Sequence, residues 1–269
     1  MTNTISAADN PVLANNLIQD ALAEQPQQVD VQIISPSDTY VRLPGGYINA
    51  TGELVQEAEV RELNGRDEEA ISRATSIGKS LSIILQRGVV RVGSEKATEE
   101  ILDRLLTGDR DMLLLSILKV TFGKETETGA YCSTCDEVKS VSIDIDNDIK
   151  VKALLDPVDD RTFLVQGKSH EFTVKLPTGV AQKEMMNSTD KTQAELNTIL
   201  LENTVTKIDS MPVVGKAQVQ NIGLVDRKKI IDEIDKRVPG PRFEPITLEC
   251  PDCGSEVVVP INLGNFFQF

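Results

Sequence analysis

Four cysteines are the residues of this chain whose types and spacing could do chemistry. They form two Cys-x-x-Cys pairs, Cys132 with Cys135 and Cys250 with Cys253, and the chain has no other cysteine. Each pair can present two thiolates to one metal ion, and four thiolates complete the closed tetrahedral set of a structural zinc site. The sequence therefore predicts zinc bound by all four residues. More than a hundred residues separate the pairs, against about 15–20 in an ordinary zinc ribbon.

A redox dithiol is the alternative use of a Cys-x-x-Cys pair. That use requires a helix starting just after the first cysteine, in a thioredoxin-like βαβ context. Here alternating β patterns follow instead, over Val141–Asp146 after the first pair and Val257–Ile261 after the second. The pattern therefore favours metal ligands over a thiol oxidoreductase. Four thiolates also suit iron, and the spacing does not choose between the two metals.

Other catalytic signatures fail on inspection. The one histidine, His170, lies in a polar stretch and is predicted to be an exposed surface residue. Two Gly-Lys-Ser triplets resemble the end of a phosphate-binding loop, but Thr162 and Arg73 occupy the position of its first glycine. We therefore predict no catalytic residues, no cofactor other than zinc, and no enzymatic activity.

Charge and hydropathy exclude further classes of function. The formal net charge is −14, whereas nucleic-acid binding depends on Lys and Arg neutralising phosphates. A polybasic membrane contact is excluded for the same reason. The first thirty residues lack the features of a secretory signal, and no stretch has the roughly 18 apolar residues of a membrane span. The sequence predicts a soluble intracellular protein.

The elements that must position the cysteines alternate between strands and helices. We predict strands at 41–46 and 54–63, a helix over 67–88, a short one over 97–106, and an apolar helix from Gly108 to Gly123 that leads into the first pair. In the second part of the chain, a strand over 172–176 precedes helices over 189–205 and 226–237, and the second pair follows. Before all of these comes an amphipathic helix over 10–24 with a Gln/Pro-rich linker, residues 25–28.

Several features recur in the same order in the two parts. Val41–Gly46 is similar to Val174–Gly179, and Asp-Arg opens the helix before each cysteine pair, at Asp109 and Asp226. We therefore predict an α+β fold of two pseudo-repeated halves joined by a four-cysteine zinc ribbon. The predicted domains are residues 1–28 (helix and linker), 29–150 (first half) and 151–269 (second half with an aromatic tail).

A set of segments carries a resemblance to a known family. In chain order they are Leu43–Gly46, Leu63–Glu69, Gly108–Leu115, Thr121–Gly123, the two cysteine pairs and a Phe-rich end. Together they resemble the baseplate hub protein family of contractile-tailed bacteriophages and related contractile injection systems, over about residues 40–269. The resemblance implies a non-enzymatic role in building the hub or the tail initiator. It also implies that Cys132, Cys135, Cys250 and Cys253 are the functional residues.

We therefore interpret the chain as a structural or assembly component of a contractile tail baseplate. We expect it in the host cytoplasm during assembly, and it is a candidate protein of the virion. Its expected partners are other tail or hub proteins, without nucleic acid or membrane. The 10–24 helix is predicted either to bind a partner or to pack on its own domain, and Phe266, Phe267 and Phe269 to serve as core residues or as a partner anchor. The alternatives are a zinc-ribbon regulatory or nucleic-acid-associated protein and a thiol oxidoreductase.

Overall fold

A computed structural model describes residues 39–188 and 190–261. The predicted helix over 10–24, its linker and the three C-terminal phenylalanines lie outside the described residues. Within them, the strands are β1 (Tyr40–Ile48), β2 (Leu54–Val60), β3 (Val89–Val92), β4 (Glu95–Lys96), β5 (Glu125–Cys132), β6 (Glu137–Asp144), β7 (Val151–Lys152), β8 (Thr162–Gln166), β9 (Glu171–Lys175), β10 (Val205–Ile208), β11 (Met211–Pro212), β12 (Gly240–Pro241), β13 (Ile246–Glu249) and β14 (Glu256–Val259).

Helices lie between groups of these strands in the described part of the chain. They are α1 (Gly65–Ser72), α2 (Ile77–Gly88), α3 (Glu99–Arg104), α4 (Thr107–Phe122), α5 (Ile145–Asp148), α6 (Gly179–Met186), α7 (Gln193–Thr204), α8 (Lys216–Gln220) and α9 (Leu224–Arg237), with a 3₁₀ turn at Asp159–Arg161. The α+β class predicted from the sequence is confirmed.

Two four-stranded antiparallel sheets are built in the same way. One has the order β1-β2-β3-β4 and the other β8-β9-β10-β11, so that neighbours in the chain are neighbours in each sheet. In both, two helices connect the second strand to the third: α1 and α2 in the first sheet, α6 and α7 in the second. Two more helices and a two-stranded hairpin then follow, α3, α4 and β5–β6 after the first sheet, and α8, α9 and β13–β14 after the second.

Helix α4 lies at the centre of the described chain, between two apolar clusters. Its Leu113, Leu114 and Ile117 pack into the core of the first sheet. Leu115 and Leu118 pack into a separate cluster formed with the two hairpins. A helix that is apolar over most of its surface must be covered on most sides, and α4 is covered in this way. The second sheet has its own core, which includes Phe172, Val174, Leu201, Ile230 and Ile234.

The helix predicted over 67–88 is wrong as a single element. The structure has α1 and α2 with a break at 73–76, and the Ser76 side chain caps α2 by accepting the Lys79 N–H. A serine or threonine that offers its own backbone partner favours a new helix start over continuation of the old helix. Similarly, Thr192 starts α7 later than the predicted 189, through a capping box with Glu195.

Two short helices escaped the sequence prediction. Helix α6 follows the strand that ends near Leu176, and α8 precedes α9, and neither stretch was predicted as a helix. Both are too short to show a clear helical period, and neither has a side-chain cap hydrogen bond. The strand predicted over 141–146 also ends early, because Asp144 caps the single turn of α5.

The segment pairing of Val41–Gly46 with Val174–Gly179 also needs correction. The first segment lies inside β1, the first strand of its sheet, at a register shift. The second runs from the end of β9, the second strand of its sheet, into the start of α6. The two segments therefore occupy different places in their sheets, and their similarity does not mark equivalent positions.

Candidate metal centre

Two β-hairpins present the four cysteines. Cys132 is the last residue of β5, and Cys135 lies in the turn before β6. Cys250 directly follows β13, and Cys253 lies in the turn before β14. Each hairpin is antiparallel, with Cys132 paired to Glu137 and Glu249 to Glu256. Both pairs thus occupy the tip of a hairpin, and β14 packs against β5.

The four sulfur atoms lie close enough to share one ion. All of them are within 4.8 Å of one another. Two close approaches cross between the hairpins, with Cys132 Sγ 3.6 Å from Cys253 Sγ and Cys135 Sγ 3.9 Å from Cys250 Sγ. A tetrahedral site with Zn–S bonds of about 2.3 Å has sulfur–sulfur edges of about 3.8 Å. The donor set therefore fits one tetrahedral metal ion, and all four residues are free cysteines.

The turns that carry the cysteines share an unusual backbone conformation. The residue after the second cysteine has positive φ in both hairpins, 57° at Asp136 and 70° at Gly254. Glycine adopts this left-handed conformation without steric cost, and Asp is among the few other residues that tolerate it. In the second hairpin the Gly254 N–H donates to the Cys250 carbonyl at 2.9 Å. These tight turns fold the second sulfur of each pair back toward the first.

The thiols differ in burial and in acidity. Cys132 and Cys250 are buried, whereas Cys253 is exposed. Hydrogen bonds from the side chain and the main chain of Ser255 lower the pKa of Cys253 to about 6. The hydrogen bond with Cys253 raises the pKa of Cys135 to about 12. The exposed thiol is therefore the first to ionise, and a bound dication would deprotonate the others.

One ion pair joins the two hairpins beside the sulfur atoms. Lys139 of β6 lies 2.6 Å from the Asp252 carboxylate, which sits between the two cysteines of the second hairpin. The same ammonium group contacts Glu137 at 2.5 Å. Hydrogen bonds to Asp252 and Glu137 raise the pKa of Lys139. The lysine therefore stays charged and places a cation next to a cluster that would carry net negative charge when it holds a divalent metal.

The sequence identified Asp109 and Asp226 as residues that open helices, but it did not indicate which backbone groups their carboxylates bond. Each is the third residue of its helix, α4 or α9. Asp109 Oδ1 accepts the Gly45 N–H at 2.7 Å, and Asp226 Oδ1 accepts the Lys168 N–H at 2.8 Å. Both aspartates are buried. Each therefore attaches the start of a helix to the first strand of its sheet or to the turn that follows it.

The arginines that follow these aspartates also make matching contacts. Arg110 Nη1 donates to the Leu102 carbonyl at 2.8 Å, and Arg227 Nη1 donates to the Val219 carbonyl at 3.1 Å. Each acceptor lies eight residues earlier, in the short helix that precedes. Arg110 also donates to Gln182 Oε1 of α6 at 2.7 Å, so it joins elements from both parts of the chain.

His170, the remaining titratable residue singled out by the sequence, lies at the surface as predicted. Its side chain is more than half exposed, and Nδ1 lies 2.9 Å from Asp209 Oδ2.

No helix among the described residues is long and apolar enough to cross a membrane.

An α+β scaffold that brings four free thiols together defines a protein that could bind one metal ion. The comparison with protein families adds the class of protein. Residues 55–268 match the family described as T4 bacteriophage base plate protein, and the chain belongs to this family. The prediction of a phage baseplate family is thereby confirmed, and membership suggests a structural protein of the phage tail that interacts with other tail components. No match was found among curated proteins or among solved structures.

Proposed function

We propose that this chain is a non-enzymatic component of the baseplate hub of a contractile phage tail, acting in assembly or as part of the finished structure. Family membership carries the proposal. The hub assignment, in particular, is supported by the resemblance of the Leu-Pro-Gly-Gly and Gly-Asp-Arg-Asp segments to hub proteins. These two segments meet in the fold, where Asp109 accepts a hydrogen bond from the Gly45 N–H. Its partners are other hub and tail proteins, and it acts in the host cytoplasm during assembly.

The four cysteines bind a single structural zinc ion in this proposal. Support comes from the sulfur separations, which match a tetrahedral edge, and from the composition of the cluster, in which the described residues place four cysteines and no imidazole or carboxylate. A closed four-thiolate site has no open position for water or substrate, so the ion contributes folding free energy and no catalysis. It clamps the hairpin after α4 to the hairpin after α9.

The same proposal divides the chain into two repeated halves, 29–150 and 151–269, after an N-terminal helix and linker over 1–28. Three features support the division: the matching order of strands and helices, the matching contacts of the two Asp-Arg pairs, and the matching turns after Cys135 and Cys253. The predicted helix over 10–24 and Phe266, Phe267 and Phe269 remain candidate partner contacts.

A conditional knockout tests the role directly. A suppressible stop codon at Glu57 would be introduced into the phage genome, and lysates from non-suppressing cells examined by electron microscopy. We expect heads and partial tails without complete baseplates, and full rescue by the wild-type chain supplied in trans. Complete, infectious tails without the chain would contradict the proposal. Mass spectrometry of purified wild-type particles would separate a resident hub protein from an assembly factor.

A further inference from the structure

An open groove of about 560 Å³ lies between the start of α4, helix α6 and the segment that follows α9. Its lining is largely apolar and includes Met185, Met186, Leu200 and Phe243, all of which are half-buried. Methionine adapts its shape to different apolar groups and is common at surfaces that bind other proteins. This groove is distinct from the cysteine cluster and from the ion pairs described above.

Carboxylates line the same groove. Asp111 accepts a hydrogen bond from Gln182 Nε2 at 2.8 Å. Asp235 makes no side-chain hydrogen bond or ion pair among the described residues, and Glu244 is exposed at the edge. Arg242 also lines the groove, but its guanidinium donates to the main-chain carbonyls of Asp235 and Val238, at 3.2 and 2.9 Å. The apolar surface is therefore combined with an excess of negative charge.

We propose that this groove binds a segment of another tail protein that inserts an apolar side chain and places a lysine or arginine beside Asp111 and Asp235. Charge complementarity identifies the occupant, because a cation next to two carboxylates of an acidic protein favours both encounter and correct register. Nucleic acid and anionic lipid headgroups carry the wrong charge. The inference rests on the proposed baseplate role only in taking the partner from the phage tail.

The positions of the two aspartates support a cationic partner, since Asp111 is half-buried in the groove and Asp235 is exposed beside it. Burial raises the pKa of Asp111 to about 6, against the lowering effect of the Gln182 hydrogen bond and the Arg110 charge. Desolvation also raises the pKa of Asp235, as does the charge of Asp232, and the charge of Arg242 opposes this rise. The half-buried carboxylate of Asp111 gains from an added positive charge, which replaces part of its lost hydration, and the exposed carboxylate of Asp235 attracts the same cation from solvent. An apolar segment without a cation would bury these groups further and lose that gain.

Photo-crosslinking in infected cells tests the proposal with the full chain. A benzophenone amino acid would replace Met185 in the groove, with Glu202 on the exposed face of α7 as the control position. After irradiation, mass spectrometry identifies the joined peptide. We expect Met185 to capture another tail protein, at a peptide with Lys or Arg within four residues of a large apolar side chain, and Glu202 not to capture it.

A charge reversal supplies the quantitative arm. Asp235→Lys should reduce the crosslink yield at least tenfold, whereas Glu202→Lys, with the same change of charge outside the groove, should leave it within twofold. Should Asp235→Lys fail to fold, Asp235→Asn should still reduce the yield about threefold. Three outcomes would overturn the proposal. They are equal crosslink yields in the Asp235 and Glu202 variants, capture of a second copy of this chain, and capture of a peptide without a basic residue.

The result is separable from the baseplate role. If the knockout lacks baseplates but Met185 captures no protein, the groove proposal fails and the proposed function stands. If Met185 captures a host protein with the expected chemistry and the knockout assembles normal tails, the tail partner and the proposed function both fail.

Discussion

The two helices that lead into the cysteine hairpins begin alike but lie in different surroundings. Asp109 in α4 and Asp226 in α9 make the same kind of contact to the backbone near their sheets. The residue before each, however, meets a different neighbour. Gly108 presses so closely on the Pro239–Gly240 backbone that an added Cβ would lie 1.6 Å from the Pro239 oxygen. Val225, in the corresponding place, is 73% exposed.

This difference shows what one motif contributes in two places. In both helices the Asp-Arg pair fixes the helix start to its own sheet and to the short helix before it. Only α4 is then enclosed, because the segment after α9 covers its first turn and the hairpins cover its far side. A local motif thus sets a local geometry twice, and packing between the two parts of the chain makes one copy internal and the other peripheral.

The largest expected effect comes from breaking the link between the hairpins. Cys132→Ser and Cys250→Ser each remove one ligand, and if both pairs hold one ion, each variant should lose it. Structural zinc contributes on the order of 10 kcal/mol at pH 7, comparable with the whole stability of a domain. We expect one zinc per wild-type chain by elemental mass spectrometry, almost none in either variant, and a large drop in melting temperature for both.

The two variants are each other's control. If Cys132→Ser still binds a full equivalent of metal through the second pair, the hairpins hold separate ions or none in common. Elemental analysis of the wild-type chain also distinguishes zinc from iron, since both suit four thiolates. A low-pKa thiol that reacts with alkylating reagents in the metal-loaded chain would favour redox chemistry instead.

The next largest effect separates the internal helix from the peripheral one. Gly108→Ala should destabilise the fold by about 3 kcal/mol or more, because the methyl group overlaps the Pro239 backbone and neither element can move freely. Val225→Ala should change stability by about 0.5 kcal/mol or less, as expected for an exposed position. Urea unfolding of both variants gives the comparison. Similar losses would show that α4 is not more tightly enclosed than α9.

The residues of the candidate metal site could be predicted from the sequence more completely than the packing around them. The cysteine spacing identified the four residues that cluster, because a Cys-x-x-Cys pair has a local geometry that is visible in the sequence. The α4 helix was also predictable from its long apolar run. By contrast, the role of Gly108 depends on Pro239, more than a hundred residues away. No local pattern records such a contact.

Boundaries and short elements were lost for a related reason. The break between α1 and α2 depends on whether Ser76 caps a new helix or continues the old one, and the apolar period runs through it unchanged. The pairing of Val41–Gly46 with Val174–Gly179 rested on similar amino acids, but the two segments lie in strands that occupy different positions in their sheets. The Asp-Arg pairs were the better guide to the similarity between the two parts of the chain, because their side chains make matching hydrogen bonds.

A smaller effect is expected in the pH dependence that Asp109 gives to stability. Burial raises the pKa of Asp109 to about 7, opposed by its hydrogen bond from Gly45 and by the charge of Arg161, and its Oδ2 atom has no hydrogen-bond partner. A carboxyl group with a raised pKa in the folded state binds its proton more tightly there than in the unfolded chain. Its contribution is therefore fully present below about pH 4 and is lost as pH rises toward 7, by about 2–4 kcal/mol.

Asp109→Asn should remove that part of the pH dependence. We expect the free energy of unfolding of the variant to fall less between pH 5 and pH 8 than that of the wild type, measured by urea unfolding at each pH. Part of the slope should remain, because burial also raises the pKa of Asp111. Asp226→Asn, which keeps an acceptor for the Lys168 N–H, is the matched variant and should cost about 1 kcal/mol. An unchanged slope in Asp109→Asn would contradict the assignment.

The smallest effect should come from the ion pair between the hairpins. Lys139→Ala removes the contacts with Asp252 and Glu137, whose side chains are 58% and 66% exposed. Exposed pairs contribute about 0–1 kcal/mol and are screened by salt. We expect a loss within that range that shrinks in 1 M salt, with a full equivalent of metal retained. The control is Lys124→Ala, which breaks an ion pair with Asp144 at the open end of the first hairpin and leaves the contact between the hairpins intact. A loss of metal or of more than about 2 kcal/mol in Lys139→Ala alone would mean that this pair, rather than a shared ion, holds the two hairpins together.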